Sequence, residues 1–484
     1  MYTFIHEGYY ALIPVINILL AITVIFLERR NVGVTWAWLM VLFFLPGVGF
    51  LLYLILGQNL SRRKIYKLKN ESERQIISAL VEQQKEDLRQ DRVPYRDEVV
   101  HNYQDMIYMN LSSAYALYTQ DNEVAIYTDG SEKFEALLQD IEQAEDHVHI
   151  LYFIIRNDSL GVRLVEALAR KAREGRAVRL MYDAIGCSAL PRDFFRDLRE
   201  AGGEVAAFFP SRIPYLNLRV NYRNHRKLVI IDGKVGYIGG FNVGNEYLGL
   251  SKRFGYWRDT HLRLVGGSVL HMQALFFLDW TLASRQEIAL APRYFPLVPH
   301  SGHVGMQIVS SGPDSDWQQI KNAYIKMIVT AKEYIYIQTP YFIPDESLIT
   351  ALKMAALSGV DVKLMIPSKP DHRFVYWASF SYIGELLPFG VQCYLYEKGF
   401  LHAKTIVADG RVASVGTANV DIRSFKLNFE VNAFIYDTET AETLTQIFEA
   451  DMKHSRWLTQ TGYSNRPLLH KFREPCARLL SPIF

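Results

Sequence analysis

One spacing is written twice in this chain. His225, Lys227 and Asp232 recur as His402, Lys404 and Asp409, an H-x-K-x4-D pattern in both places. The first copy reads HRKLVIIDGKVGYIGGFN and the second HAKTIVADGRVASVGTAN, so the likeness continues through Gly239, Gly240 and Asn242 to Gly416, Thr417 and Asn419. A lone H-x-K arises readily by accident. Two copies with identical spacing and the same small-residue and asparagine extension do not.

The surroundings of the two motifs match as well. Residues 132–146 predict a helix with apolar positions at Phe134, Leu137, Leu138 and Ile141, followed by a strand over 147–155, a helix over 161–174 and a strand over 178–182. In the second half the same order predicts a helix over 316–332, a strand over 334–342, a helix over 347–357 and a strand over 360–366. Each half then meets its motif in a further apolar strand, 227–231 or 404–407. Alternating helices and short apolar strands are the pattern of an α/β sandwich, and an internal duplication explains why it appears twice. The expected lobes are 121–295 and 305–484, packed with the motif strands facing each other around one composite site. Neither half should work alone.

The first sixty residues differ in composition. Residues 9–27 carry no charge and are long enough at helical rise to cross a hydrocarbon core of roughly 30 Å. A second run, 34–56, follows a turn holding Glu28, Arg29, Arg30 and Gly33, so the pair reads as a transmembrane helical hairpin over 1–60. A cleaved signal peptide fits poorly, since no Lys or Arg precedes the first run and no small-residue cleavage site follows it before Glu28. Pro46, Gly47 and Gly49 interrupt the second run and leave a kink or a re-entrant hairpin open. Arg62, Arg63, Lys64, Lys67 and Lys69 crowd its exit, which places everything after residue 60 in the cytoplasm and makes the chain a multi-pass protein of the cell membrane. Residues 61–120 are charged and helix-prone and read as a solvated connector, with a basic opening suited to anionic lipid.

Composition excludes some partners. A net charge of +2 is weak for a dedicated nucleic-acid binder. Cys187, Cys393 and Cys476 are odd in number and far apart, which favours neither a disulfide framework nor a zinc site.

Two histidines and two lysines suit phosphodiester chemistry. Displacing an alcohol from phosphorus needs a nucleophile and an acid for the departing alkoxide, roles that imidazole and imidazolium fill near neutral pH. Lys227 and Lys404 would hold non-bridging oxygens, with amide donors from Asn242 and Asn419, so no metal or other cofactor is called for. A reactive imidazole also needs its other nitrogen held by a carboxylate. Alignment after each motif sets Asp259 of WRDTHLRLV against Glu430 of NFEVNAFIY, giving Asp259 to His225 and Glu430 to His402, with Glu246 as a rival. Asp232 and Asp409, counted with the catalytic set by their motif, are each followed by Gly at a strand end and are expected to hold that turn. His147, His149, His261, His271 and His372 lack such a context and read as packed or exposed residues. Two segments could touch lipid: the loop of Phe208, Phe209, Pro210, Ile213, Pro214, Tyr215 and Leu216, and the tail with Leu468, Leu469, Phe472, Leu479, Leu480, Ile483 and Phe484 among Lys471, Arg473 and Arg478. Packing against the rest of the protein is the competing reading for both, against the first half in the case of the tail.

With these residues in place, the chain resembles the phospholipase D superfamily over residues 121–484, on the two H-x-K-x4-D motifs. Within it the chain is similar to the bacterial cardiolipin synthases, on LPGVGFLLYLILG, WRDTH, GTANVDIRSFKLNFEVN and the ending ARLLSP. The resemblance implies two phospholipase D-type α/β/α lobes with a shared active site. It also implies condensation of two phosphatidylglycerol molecules into cardiolipin with release of glycerol, through a phosphatidyl-histidine on His225 with His402 as acid and base. Phosphatidylethanolamine as donor stays open, as does oligomeric state. A phospholipase or nuclease would pass the same intermediate to water, but a nuclease gains nothing from a membrane hairpin. A non-catalytic scaffold has no need of both His and Lys in both copies.

Overall fold

The computed structural model describes residues 71–210, 221–289, 291–296, 302–315 and 317–480, together with 18–19, 21–22, 32–45, 48–49 and 53. The chain divides into two compact units, Met1–Leu68 with Pro210–Tyr222, and Lys69–Phe209 with Arg223–Phe484. In the first unit a helix spans Val32–Phe44; Leu42 and Tyr53 are buried, Trp38 meets Tyr53 edge to face, and Trp36, Met40, Phe43 and Phe44 are exposed. Among the described residues no helix is long and apolar enough to cross a membrane. Of the two apolar runs of the expected hairpin, 9–27 lies largely outside the described residues, and 34–56 is described at 34–45, 48–49 and 53.

The second unit is built on one long sheet. Its first half contributes β1 (Tyr118–Tyr127), β2 (His147–Tyr152), β3 (Ala177–Asp183), β4 (Glu204–Phe208), β5 (Arg223–Asn224), β6 (Leu228–Ile231), β7 (Val235–Gly239), β8 (Tyr256–Arg258) and β9 (His261–Val265). The second half contributes β10 (Val304–Ser311), β11 (Tyr334–Gln338), β12 (Phe342–Ile343), β13 (Asp361–Pro367), β14 (Gln392–Tyr396), β15 (Gly399–Leu401), β16 (Thr405–Ala408), β17 (Val412–Gly416), β18 (Val420–Asp421), β19 (Asn428–Tyr436) and β20 (Ser455–Leu458), of which β12 with β18, and β15 with β8, form two small sheets apart from the long one. An antiparallel pairing of β1 with β10 joins the halves. Outward from it the first half runs β1-β9-β7-β6-β2-β3-β4 and the second β10-β19-β17-β16-β11-β13-β14, with β20 added at the edge. The two orders correspond strand for strand, as a duplicated lobe requires.

In each lobe the parallel trio, β2-β3-β4 or β11-β13-β14, lies where helices return the chain across the sheet. The central strands are covered on both faces: all six residues of β2 and all nine of β19 are buried, the polar His147, His149, Asn428, Glu430 and Asn432 among them. Aspartates start the crossover helices by capping free backbone N–H groups: Asp129 accepts from Ser131 at 2.8 Å, Asp158 from Gly161 at 3.1 Å and Asp345 from Leu348 at 3.2 Å. One core gathers Phe134, Leu137, Ile150, Leu164 and Val229. The other gathers Ile335, Ile337, Leu352, Leu364 and Ile406.

That second core also takes in Val100, Tyr103, Met106, Ile107 and Leu111, which corrects the expectation of a solvated connector. The 3-10 turn Glu98–Tyr103 and the helix Gln104–Ala114 bury their sparse apolar positions against the second lobe, and Asn110 donates to Gln307 Oε1 at 3.1 Å inside it. A few apolar residues at helical spacing were enough for a packed face.

Candidate active site

Each motif histidine sits between a short strand and a long one: His225 between β5 and β6, His402 between β15 and β16. The short strands cross to the other lobe. β5 pairs in parallel with β19, setting Asn224 opposite Phe429, and β15 pairs in parallel with β8, setting Leu401 opposite Arg258. The ladder continues into the histidines themselves. The His225 backbone N–H donates to the Phe429 carbonyl at 3.0 Å, and that of His402 to the Arg258 carbonyl at 2.7 Å. The next residue along each partner strand is a carboxylate, Glu430 or Asp259.

This register decides the pairing. His225 Nδ1 lies 3.0 Å from Glu430 Oε2, and His402 Nδ1 lies 2.6 Å from Asp259 Oδ2. The within-lobe assignment expected from alignment is therefore corrected: Asp259 and Glu430 are the orienting carboxylates, but each serves the histidine of the opposite lobe. Alignment finds equivalent residues, while contact here is set by strands that swap partners between lobes. Glu246 orients neither ring; its carboxylate is 3.4 Å from Arg156 Nε. A carboxylate only accepts, so each Nδ1 carries the proton and each Nε2 presents its lone pair.

The carboxylates are held in turn. Glu430 accepts from the Thr417 hydroxyl at 2.6 Å and from the Asn428 amide at 3.1 Å. Asp259 accepts from the Thr260 backbone N–H at 2.8 Å. The small-residue positions of the motif are thereby explained. A Cβ on Gly240 would lie 1.9 Å from Asp259 Oδ1, while Thr417 at the matching position uses its hydroxyl on Glu430. Two buried ion pairs fasten the crossed strands: Arg226 with Asp279 at 2.6 Å and Arg258 with Asp451 at 2.8 Å. Arg226 also donates from Nε to the Glu430 carbonyl at 3.1 Å.

Lys227 and Lys404 are buried and turn back on their own histidines. Lys227 Nζ donates to the His225 carbonyl at 2.6 Å; Lys404 Nζ donates to the His402 carbonyl and lies 3.0 Å from its Nδ1. Burial, with repulsion from the lysine of the same motif and a smaller one from the lysine of the other lobe, holds both imidazoles down at about 4 against the pull of Glu430 and Asp259. Burial likewise lowers Lys227 to about 7 and Lys404 to about 8, against the pull of Glu430 and Asp259. Burial pushes the two carboxyls up, but the neighbouring lysine and histidine charges outweigh it and leave both below their ordinary values. Aromatic rings line both sides, Phe153 at 4.8 Å from the His225 ring and Trp257 at 5.2 Å from that of His402.

Asn242 and Asn419 sit differently. The Asn242 amide donates to the Tyr247 hydroxyl at 3.2 Å and its Oδ1 accepts from Ile154, so it braces the loop after β7. Asn419 is buried with an Oδ1 that has no partner. Asp232 and Asp409 lie at the far ends of β6 and β16 from the histidines. Asp232 accepts from the backbone N–H groups of Glu145, Asp146 and His147, each at 2.8 Å, and Asp409 from those of Lys332, Glu333 and Tyr334 at 2.8 to 2.9 Å. Their place in a catalytic set is corrected: they tie an Asp-Gly turn, with both residues at positive φ, to the start of β2 or β11.

Other expectations fall into place around the site. Phe208 and Phe209 are buried and face Phe429 at 5.2 and 6.2 Å, so the start of their loop packs inward; residues 211–220 lie outside the described residues. His147, His149 and His261 are buried, and His372 is exposed at 73% of its side chain. Sequence reasoning missed Thr417 as a carboxylate ligand and the Arg226 and Arg258 clamps. The arginine next to each key residue, in HRK and WRD, was the available signal. Among the described residues, no group of three or more His, Cys, Asp or Glu is disposed to hold a metal ion.

Comparison with known proteins agrees with this geometry. Residues 137–252 and 324–452 match the family described as cardiolipin synthase, PLD-like domain, and residues 15–58 match the phospholipase D-nuclease N-terminal family. The chain is 54% identical over 471 residues to the major cardiolipin synthase ClsA of Bacillus subtilis (strain 168), covering 97% of each. It is also 54% identical over 470 residues to a cardiolipin synthase of Listeria welshimeri, again covering 97% of each. The crystal structure of phosphatidylserine synthase from Haemophilus influenzae Rd KW20 matches with a TM-score of 0.61 and 15% identity, over 80% of this chain and 100% of that one, a likeness of fold alone. Two lobes with one crossed histidine site, and relatives spanning nearly the whole length, place the chain in the cardiolipin synthase family of phospholipase D-like proteins.

Proposed function

We infer that the protein is a cardiolipin synthase, moving a phosphatidyl group from one phosphatidylglycerol to the hydroxyl of another. The observation that carries this reading is the pair of imidazoles, each with Nδ1 held and Nε2 available, beside two buried ammonium groups. The Nε2 lone pair of His225 attacks phosphorus, the bond to the headgroup glycerol breaks, and the leaving oxygen takes its proton from His402. His402, now neutral, removes a proton from the glycerol hydroxyl of a second phosphatidylglycerol. That oxygen attacks phosphorus, the P–N bond breaks, and the electron pair returns to His225. Lys227 and Lys404, with the amide of the buried Asn419, steady the charge on the non-bridging oxygens, while Asn242 braces the loop after β7 through Tyr247 and Ile154.

Membrane attachment completes the proposal. Residues 1–60 would anchor the chain as a hairpin with the lobes, 121–295 and 305–484, on the cytoplasmic face. The apolar composition, the basic cluster after residue 61 and the family match over residues 15–58 support this. A purified preparation given phosphatidylglycerol alone should release glycerol and cardiolipin in equal amounts. Phosphatidic acid as the main product would instead identify a phospholipase, and labelled ethanolamine released from a mixed-lipid assay would identify phosphatidylethanolamine as the donor.

A further inference from the structure

The helix Leu468–Leu480 is amphipathic, but it is turned the wrong way for a helix on a water-soluble surface. Its charged side faces the protein. Glu474 is buried and pairs with Arg466 at 2.7 Å, Arg478 bonds Glu385 at 2.6 Å, and the Arg473 guanidinium lies 5.0 Å from the centre of the Trp377 ring. Ala477 is buried on the same side. The tail therefore docks on the helix Arg373–Leu386 of the second lobe, which corrects the alternative of docking on the first. At 3.6 residues per turn, Leu468, Phe472, Pro475, Cys476 and Leu479 share the opposite face, with Leu469 at its margin. Leu468 and Leu479 are each 81% exposed, Phe472 72% and Leu469 54%.

We propose that this face rests on an anionic phospholipid bilayer, as an interfacial contact in the second lobe. Charge complementarity selects that occupant. Lys471 and Arg473 border the apolar face, and the helix's one carboxylate, Glu474, is turned away and neutralised. Apolar side chains rimmed by cations match acyl chains beneath anionic headgroups. The surface also leads to the site. Trp377 under Arg473 meets Phe374, itself 53% exposed, at 5.3 Å. Just before this helix, the Asp371 carboxylate is held by Tyr341 and the Asp371 carbonyl by Arg253 of the first lobe at 2.9 Å. Asp371 is near enough to Lys404 for its charge to favour the ammonium, so a bilayer on this face would lie beside the end of the molecule that holds Lys404.

The inference deepens the proposed function, but one arm of its test is independent of that function. Cys476 is the exposed thiol, while Cys187 and Cys393 are buried, so a thiol-reactive environment-sensitive fluorophore on the full-length protein marks this face. In vesicles of phosphatidylglycerol and phosphatidylcholine, emission should shift to the blue, be quenched by brominated acyl chains and be shielded from aqueous iodide. Leu468→Glu with Leu479→Glu should reverse all three. It should also raise the KM for vesicle phosphatidylglycerol by about tenfold, the loss of a buried apolar anchor, while kcat/KM for monomeric short-chain phosphatidylglycerol stays unchanged. A label quenched by iodide and untouched by bromolipid would overturn the proposal. So would self-quenching between labels that persists in dilute detergent, which would assign the face to a second copy of the chain. Failure of cardiolipin formation with bromolipid quenching intact would instead count against the proposed reaction.

Discussion

Glu430 of the second lobe accepts the Nδ1 proton of His225 in the first, at 3.0 Å, and the strand that carries it also takes the His225 backbone N–H. Asp259 and His402 repeat the relation in the other direction. One lobe thus supplies the ring and the other holds it, twice, which gives a physical reason for the duplication: neither copy contains a complete histidine–carboxylate pair.

Replacing Glu430 with Gln or Asp259 with Asn should lower kcat by about 10^3 to 10^4-fold with little change in KM, because the ring then loses the partner that fixes its tautomer. Proton NMR distinguishes crossed from within-lobe pairing. The downfield Nδ1 proton of His225 should vanish in Glu430→Gln and survive in Asp259→Asn; the reverse pattern would restore the within-lobe assignment.

Gly240→Ala should cost activity far from any substrate contact. Its Cβ would stand 1.9 Å from Asp259 Oδ1 and push the carboxylate off His402. On the other side, Thr417→Val removes a hydroxyl at 2.6 Å from Glu430 and should cost about 1 kcal/mol, roughly fivefold in kcat, while Thr417→Ser should retain activity. Equal rates for the valine and serine variants would show that the hydroxyl does not matter.

Asp232→Asn and Asp409→Asn should act on stability. Each carboxylate accepts three backbone N–H groups at the start of a central strand, so each change should cost about 1.5 to 3 kcal/mol. Thermal denaturation should show the loss, with kcat of the folded fraction nearly unchanged. A stable protein with a collapsed kcat would return these residues to the reaction.

Substrate binding should take up protons. Burial holds His225 and His402 down at about 4, so at pH 6 both rings are neutral, one proton short of a nucleophile and acid pair. A phosphodiester anion beside them favours the charged form and raises one ring's value. Uptake should therefore be present above about 4 and fade below it, where the rings are already charged. Above pH 7 the lowered Lys227 and Lys404 should add to it as the anion recharges them. Calorimetry with a short-chain phosphonate analogue at pH 6, in buffers of different ionisation enthalpy, should give about one proton per site. No dependence on the buffer would refute the assignment of the acid.

Much of this was legible in the sequence. The strands and helices around each motif fall within a few residues of where apolar periodicity placed them, because β2, β3, β11 and β13 are short apolar runs beside helices with a clear buried face. His225, His402, Asp259 and Glu430 were found by repetition. What repetition could not give was the pairing, since a duplicated sequence has the same internal alignment whether strands stay at home or cross over. Two-residue strands such as β5, which carry that information, have no periodicity to read. The helix Gln104–Ala114 was misjudged as solvated for a related reason: it follows the highly charged stretch Glu71–Arg89, and its own buried stripe of Met106, Ile107 and Leu111 becomes meaningful only against the second lobe.

The covalent step admits a direct test. Full-length enzyme mixed with short-chain phosphatidylglycerol and quenched in alkali should carry one phosphatidyl group on the peptide containing His225, seen as a mass increase, and its His225→Ala variant should carry none. Phosphorus made chiral with oxygen isotopes should leave the wild-type reaction with its configuration retained. Turnover with inverted phosphorus and no labelled histidine would mean a single direct displacement, and the two crossed imidazoles would then need another explanation.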